Sequence, residues 1–362
     1  MGGGTTMGRC PPAVLLIGAW ATAACGATRS ATPEEVRVSG ATQVITTESA
    51  LLSFPVDLAL GPKGSLGVLD AAGRVVMVSA QVPPLTVGRA GSGPGEFLDP
   101  GSLAIAGDRL YVADLGNLRL QTLTLDGHLQ RMARLPGVAV MGKVSIAGDG
   151  GFLVPTIGLE GVLAQRYDSL GQPAGGYGKP LDSVPRMANP RLTKEQLIRG
   201  IVPPLFRNGV LAVAEPDGDV WLVLNGEGRL ERFRPDGTRV LSVPLGAREM
   251  ASVLQEAVDS AKATLLNDAG GTYALRYVFD ASFDEGILWL LLNTTEYGPA
   301  VLLAVDSSGR TRRRLKFPDV IGARAFAIDR SNRLAYFAIL SAASVVRSSL
   351  PRGAIESLTG LP

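Results

Sequence analysis

Few side chains in this 362-residue chain can do chemistry, and the shortage itself narrows the function. His128 is the single histidine, and Cys10 and Cys25 are the two cysteines. Zinc sites, Ser-His-Asp relays and thiolate nucleophiles all need more than that. His128 follows an Asp126-Gly127 turn, a place for an exposed turn residue rather than a general base in a pocket. Oxygen chemistry remains. Asp70, Asp114, Asn117, Glu160, Asn225, Asn293 and Glu296 each sit in a polar turn after an apolar run. Carboxylates and amides converging from several such turns could hold a hard cation such as calcium. The same residue types are also ordinary turn formers. The expectation is therefore no catalytic residue, no metal and no resident cofactor, with these seven residues as a candidate binding face. A calcium-dependent hydrolase is the alternative.

The elements that must position them repeat six times: apolar strand, tight polar turn, apolar strand. The copies are LALGPKGSLGV (Leu58–Val68), LAIAGDRLYV (Leu103–Val112), VSIAGDGGFLV (Val144–Val154), LAVAEPDGDVWLV (Leu211–Val223), YVFDASFDEGILWLL (Tyr277–Leu291) and AFAIDRSNRLAYFA (Ala325–Ala338). Their turns lie roughly 45 residues apart, about 67 where insertions intervene, a period that belongs to propellers. A second set of turns, Leu125-Asp126-Gly127, Asp168–Gly171, Pro235-Asp236-Gly237 and Asp306–Gly309, adds an outer hairpin to the copies. The pattern predicts an all-β fold: a six-bladed β-propeller of four-stranded antiparallel blades spanning residues 35–351. The last copy lacks a fourth strand, and an unpaired sheet edge invites aggregation. The strand-like segment Glu35–Thr46 is expected to fill it and close the ring.

Two insertions break the rhythm, at 179–204 and 247–267. The first is proline-rich around a short helical patch, Thr193–Arg199. The second carries Met250, Val253, Leu254, Ala257, Val258, Ala261 and Leu265 on one helical face, so a helix is expected between blades 4 and 5. Insertions at inter-blade connections often shape a binding mouth.

The N-terminus reads differently. Arg9, the apolar run Ala13–Trp20 and the small residues Ala21–Ala24 form a secretory leader over residues 1–25, too short for a comfortable membrane span. Residues 26–34 read as a tether and 352–362 as a tail. Lys and Arg total 35 against 33 Asp and Glu, a net +2 that gives no electrostatic footprint for nucleic acid. The basic run Arg310–Arg314 is local and reads as a solvated strand edge, with acidic lipid or polysaccharide as the sharper alternative.

Two resemblances follow from these residues. Thr22-Ala23-Ala24-Cys25 resembles the lipobox of bacterial lipoproteins, which implies lipidation at Cys25, membrane tethering and a place in the cell envelope. Gly93-Pro94-Gly95-Glu96-Phe97, Pro100, Asp114, Gly116-Asn117, Arg119 and Gln121 resemble an NHL repeat over one blade. The overall pattern is similar to exported six-bladed propeller lipoproteins. The glycine-rich string lacks a Gly-Lys-Ser/Thr ending and leads into a strand, so it is not a phosphate loop. Together these imply a monomeric, non-catalytic module that binds a protein, peptide or glycan and reaches the membrane through its lipid alone.

Overall fold

The computed structural model describes residues 33–45, 51–79, 82–135, 143–158, 161–181, 183, 189–265, 275–295 and 298–355. Six antiparallel sheets follow one another along the chain, each starting with its inner strand. Blade 1 runs Pro55–Leu60, Leu66–Asp70, Arg74–Val78 and Leu85–Val87. Blade 2 runs Pro100–Ala106, Arg109–Asp114, Arg119–Thr124 and Leu129–Arg134. Blade 3 is the slightest, with Ser145–Ile146, Phe152–Pro155, Ala164–Tyr167 and Pro173–Tyr177. Blade 4 comprises Val210–Ala214, Val220–Leu224, Arg229–Phe233 and Arg239–Pro244. Blade 5 comprises Val278–Asp284, Ile287–Leu292, Pro299–Val305 and Thr311–Ile321. Blade 6 has Ala323–Asp329, Leu334–Ile339 and Ser344–Ser349 from the C-terminal end of the chain.

The ring is visible in how one strand divides its side chains. Ile287–Leu292 is apolar at every position and buried throughout. Because successive side chains point to opposite faces, Leu288, Leu290 and Leu292 pack on blade 4, while Ile287, Trp289 and Leu291 pack on blade 6. Such two-sided burial turns the usual apolar–polar alternation into an unbroken apolar run. Corresponding apolar clusters fill the interfaces of blades 6 and 1, 1 and 2, 2 and 3, and 3 and 4. Every blade is thus packed on both faces, and the sheets close into a six-bladed propeller. Turn chemistry supports the sharp reversals: at Glu285-Gly286 both residues have positive φ, 43° and 83°, the geometry of a two-residue hairpin that matches strand twist.

The N-terminal segment closes the ring in two steps rather than as one strand. Ala41–Ile45 pairs antiparallel with Ser344–Ser349 and completes blade 6. Glu34–Arg37 instead runs parallel to Thr311–Ile321 as a fifth strand of blade 5. The split has an electrostatic cause. Glu34 meets Arg313 at 3.1 Å and Glu35 meets Arg314 at 3.0 Å, so the basic run supplies a docking edge for an acidic strand. Arg312 pairs with Asp306. The basic run is therefore an intramolecular fastener, which corrects the expectation of a solvated edge.

The insertions form helices α1 (Pro190–Ile198), α2 (Pro204–Arg207) and α3 (Met250–Thr264). Asn189 caps α1 by accepting from the Leu192 amide, with Pro190 at the first helical position. Val253, Ala257 and Ala261 give α3 a buried stripe that joins Leu197 and Phe206 over blades 4 and 5. Lys194 Nζ reaches the Thr264 carbonyl at 3.1 Å, fixing α1 to the end of α3. No helix among the described residues is long and apolar enough to cross a membrane.

Candidate ligand site at the channel mouth

The site begins with a backbone irregularity used four times. In blades 1, 2, 5 and 6 the pairing of the first two strands slips so that one inner-strand residue has no partner. The skipped residues are Val56, Gly101, Phe279 and Arg324. A bulge bends a strand and re-aims the bulged side chain, and all four residues line one cavity of about 510 Å3. The residue after each bulge, Asp57, Ser102, Asp280 or Ala325, turns inward.

Two of these inward residues are carboxylates, Asp57 in the otherwise apolar PVDLAL and Asp280 in VFDASFD. Asp57 and Asp280 are almost fully buried, 2% and 3% exposed. Each accepts from the amide that follows it, Leu58 at 2.8 Å and Ala281 at 2.8 Å. Each also accepts from the next blade's inner strand: Leu103 N–H donates to Asp57 at 2.7 Å, and Phe326 N–H to Asp280 at 3.0 Å. Ser102 does the same for Val144 at 3.0 Å. These side chains stitch blade to blade around the axis.

Lys143 completes the arrangement. It precedes the inner strand of blade 3, and its Nζ lies 2.7 Å from Asp57 and 3.3 Å from Asp280. One ammonium thus ties blades 1, 3 and 5 together. Burial pushes the Asp57 carboxyl up to about 6, because Lys143 only partly offsets the loss of water and Asp280 adds repulsion. Burial alone would lower the Lys143 pKa, but the two carboxylates outweigh it and hold the ammonium above the usual lysine range. Lys143 borders both the mouth cavity and a second cavity of about 420 Å3 lined by inner strands of all six blades. It forms the floor between them.

Two arginines stand above that floor. Arg324, the bulged residue of blade 6, lies with its guanidinium 4.1 Å from the Phe279 ring centroid, a cation–π contact. Arg276 enters blade 5, its carbonyl accepting from Asn293 Nδ2 at 2.8 Å. Burial and repulsion from Arg324 lower the Arg276 pKa, although a guanidinium remains charged. Among the described residues neither arginine has a carboxylate partner.

Of the residues singled out in the sequence, Asn293 lines this cavity. Asp70 and Asp114 are buried organisers of the middle turns. Asp70 accepts from the Ser53, Phe54 and Ala72 amides and from Arg74. Asp114 accepts from the Leu98 amide, Asn117, Arg119 and Gln121. Asn117 also donates to the Gly91 carbonyl, and Arg119 to those of Ser92, Gly93 and Glu96, so the glycine-rich segment is clamped onto its blade. Asn225 accepts from the Val278 amide at 2.8 Å, joining blades 4 and 5. His128 is exposed, 3.4 Å from Asp126. Glu160, Glu296 and Cys25 lie outside the described residues. The spacing of turns did not reveal Asp57, Lys143, Asp280, Arg276 or Arg324. The available signal was an aspartate as the third residue of two inner strands, PVDLAL and VFDASFD.

Comparison with known proteins places the architecture. No family model matches the chain, and none of the curated proteins does. A catalytically inactive virginiamycin B lyase from Staphylococcus aureus, solved with quinupristin, is similar over 86% of this chain and 99% of that one, at 10% identity and a TM-score of 0.53. A gluconolactonase from Xanthomonas campestris is similar over 83% of this chain and 87% of that one, at 15% identity and a TM-score of 0.50. At such identities the likeness is one of fold, and with the six packed sheets it makes the chain a six-bladed β-propeller.

Proposed function

We propose that this propeller is a non-catalytic binding module whose ligand, a protein, peptide or glycan, seats over Lys143 at the channel mouth. The observation that carries this reading is the state of the axial carboxylates. Asp57 and Asp280 direct their oxygens to four backbone amides and to one shared ammonium. A calcium-dependent hydrolase would need such oxygens open to a cation, and here Lys143 occupies the position between them. What the mouth presents is a set of fixed hydrogen-bond donors on a rigid ring, which suits recognition.

Calorimetry with calcium chloride on the wild-type chain tests the reading. Heats of dilution alone are the expected result. A tight one-to-one site that disappears in Asp280→Asn would replace the binding module with a metal-assisted hydrolase.

Export and tethering belong to the same proposal, supported by the leader and by Cys25 after Ala23-Ala24. Mass spectrometry of the chain expressed in a bacterium should find acyl chains on an N-terminal Cys25. A mature end elsewhere would remove the tether.

A further inference from the structure

We propose that the mouth recognises a carboxylate attached to an apolar group, such as the C-terminal residue of a peptide or a free aliphatic acid. This rests on the binding reading above and names the chemistry of its ligand.

A donor–acceptor count leads there. At the floor the acceptors are engaged, since Asp57 and Asp280 are each held by two amides and Lys143. The donors are not. An ammonium has three N–H groups, and two of those on Lys143 are directed at the carboxylates. Asn293 spends one amide N–H on the Arg276 carbonyl and, among the described residues, keeps the other. Arg276 and Arg324 have no carboxylate partner among the described residues, yet they lie close enough to repel each other. Two guanidiniums, an ammonium and an amide thus face one cavity with N–H groups to spare. An oxyanion satisfies them together and relieves the repulsion, and the planar fork of arginine matches a carboxylate. Among the described residues the one carboxylate on the rim, Asp99, is exposed to water, where its charge is screened.

The remaining walls fix what carries the anion. Val56, Leu115, Leu211 and Leu340 are apolar and line the same cavity. Its one aromatic among the described residues, Phe279, has Arg324 over its face, so a sugar ring finds no open aromatic surface to stack on there. A volume of about 510 Å3 is in the range of small-ligand pockets. An aliphatic side chain beside a carboxylate fits both halves of this lining.

Calorimetry on the full chain with N-acetyl-alanyl-leucine, its C-terminal amide, hexanoate, glucuronate and inorganic phosphate decides the matter. The peptide acid should bind at least about tenfold more tightly than the amide, the usual scale for hydrogen bonds to a charged group. Arg276→Gln and Arg324→Gln should each weaken it about tenfold with at most a small change in melting temperature, since among the described residues neither guanidinium has a carboxylate partner to lose and Arg324 gives up only its contact with the Phe279 ring. If hexanoate equals the peptide, the ligand is a free acid; if the peptide is tighter, it is a chain terminus. Equal affinity for acid and amide, no binding of either acid, or tighter binding of glucuronate or phosphate would overturn the proposal while leaving a binding module intact. A stoichiometric calcium site in the same samples would remove the parent reading instead.

Discussion

Arg314 donates to Glu35 at 3.0 Å across 279 residues of chain. The same guanidinium also holds Glu249, just before α3, and Arg248 pairs with Glu35 from the other side. The first strand, the outer strand of blade 5 and the start of α3 therefore meet at one buried arginine. Burial works against ionisation of Glu35, but Arg248 and Arg314 hold its carboxyl below the usual range.

Removing that arginine should cost more than removing either acid. Arg314→Met leaves Glu35 and Glu249 with only the exposed Arg248 as a cation. A loss of about 2 kcal/mol is expected, less than the ~3–5 kcal/mol of a fully buried pair because both carboxylates keep some water. Glu35→Gln, which leaves Arg314 its second partner, should cost less than about 1 kcal/mol. Urea unfolding of the three proteins gives the comparison, and equal losses would contradict the hub.

The axial cluster makes a prediction about pH with an unusual sign. The Asp57 carboxyl is raised from 3.8 to about 6 in the folded protein. Between those values the folded chain keeps a proton that the unfolded chain has released. Stability therefore falls as pH rises through that window and levels off above it. Carboxylates held low, such as Glu35, slope the other way, so the comparison must be with Asp57→Asn. Chemical denaturation at pH 4, 5, 6 and 7 should show wild type losing stability relative to this variant up to about pH 6. A flat difference would mean that Asp57 is ionised throughout.

Deletions at the N-terminus should separate the two added strands. Removing residues through Arg37 strips the parallel strand from blade 5 but leaves the ring closed by Ala41–Ile45. The product should stay monodisperse with a lower melting temperature. Removing residues through Ile45 bares the edge of Ser344–Ser349, and an open edge pairs with its like. Size-exclusion chromatography should then show aggregates, and a monodisperse product would contradict closure by that strand.

The fold was legible in the chain because blade architecture is local. Hairpins such as Leu66–Val78 and Leu288–Val305 announce themselves by apolar runs and turn residues close together in the chain. Closure was also legible in outline, since the last blade was one strand short. The division of Glu34–Ile45 between two blades was not, because it depends on Arg313 and Arg314 finding Glu34 and Glu35 from the far end of the sequence.

The site was harder to read for a related reason. Asp70 and Asp114 end their strands and Asn225 follows one, places where functional residues gather, yet each is consumed by backbone amides or neighbouring side chains. Asp57 and Asp280 lie inside strands, where alternation leads the eye to core packing. Their pairing with Lys143 joins three blades and carries no signature in local spacing. The bulges that aim Val56, Gly101, Phe279 and Arg324 into the mouth arise from strand register, which composition does not encode.

Closing the last blade with Ala41–Ile45 imposes an order on biosynthesis. That segment is made long before its partner Ser344–Ser349, with the other five blades lying between them in the chain. All six blades must therefore be made before the circle can shut. Contacts so distant in the chain slow folding and leave apolar sheet faces uncovered meanwhile. A chain built this way has reason to depend on a holdase during its birth.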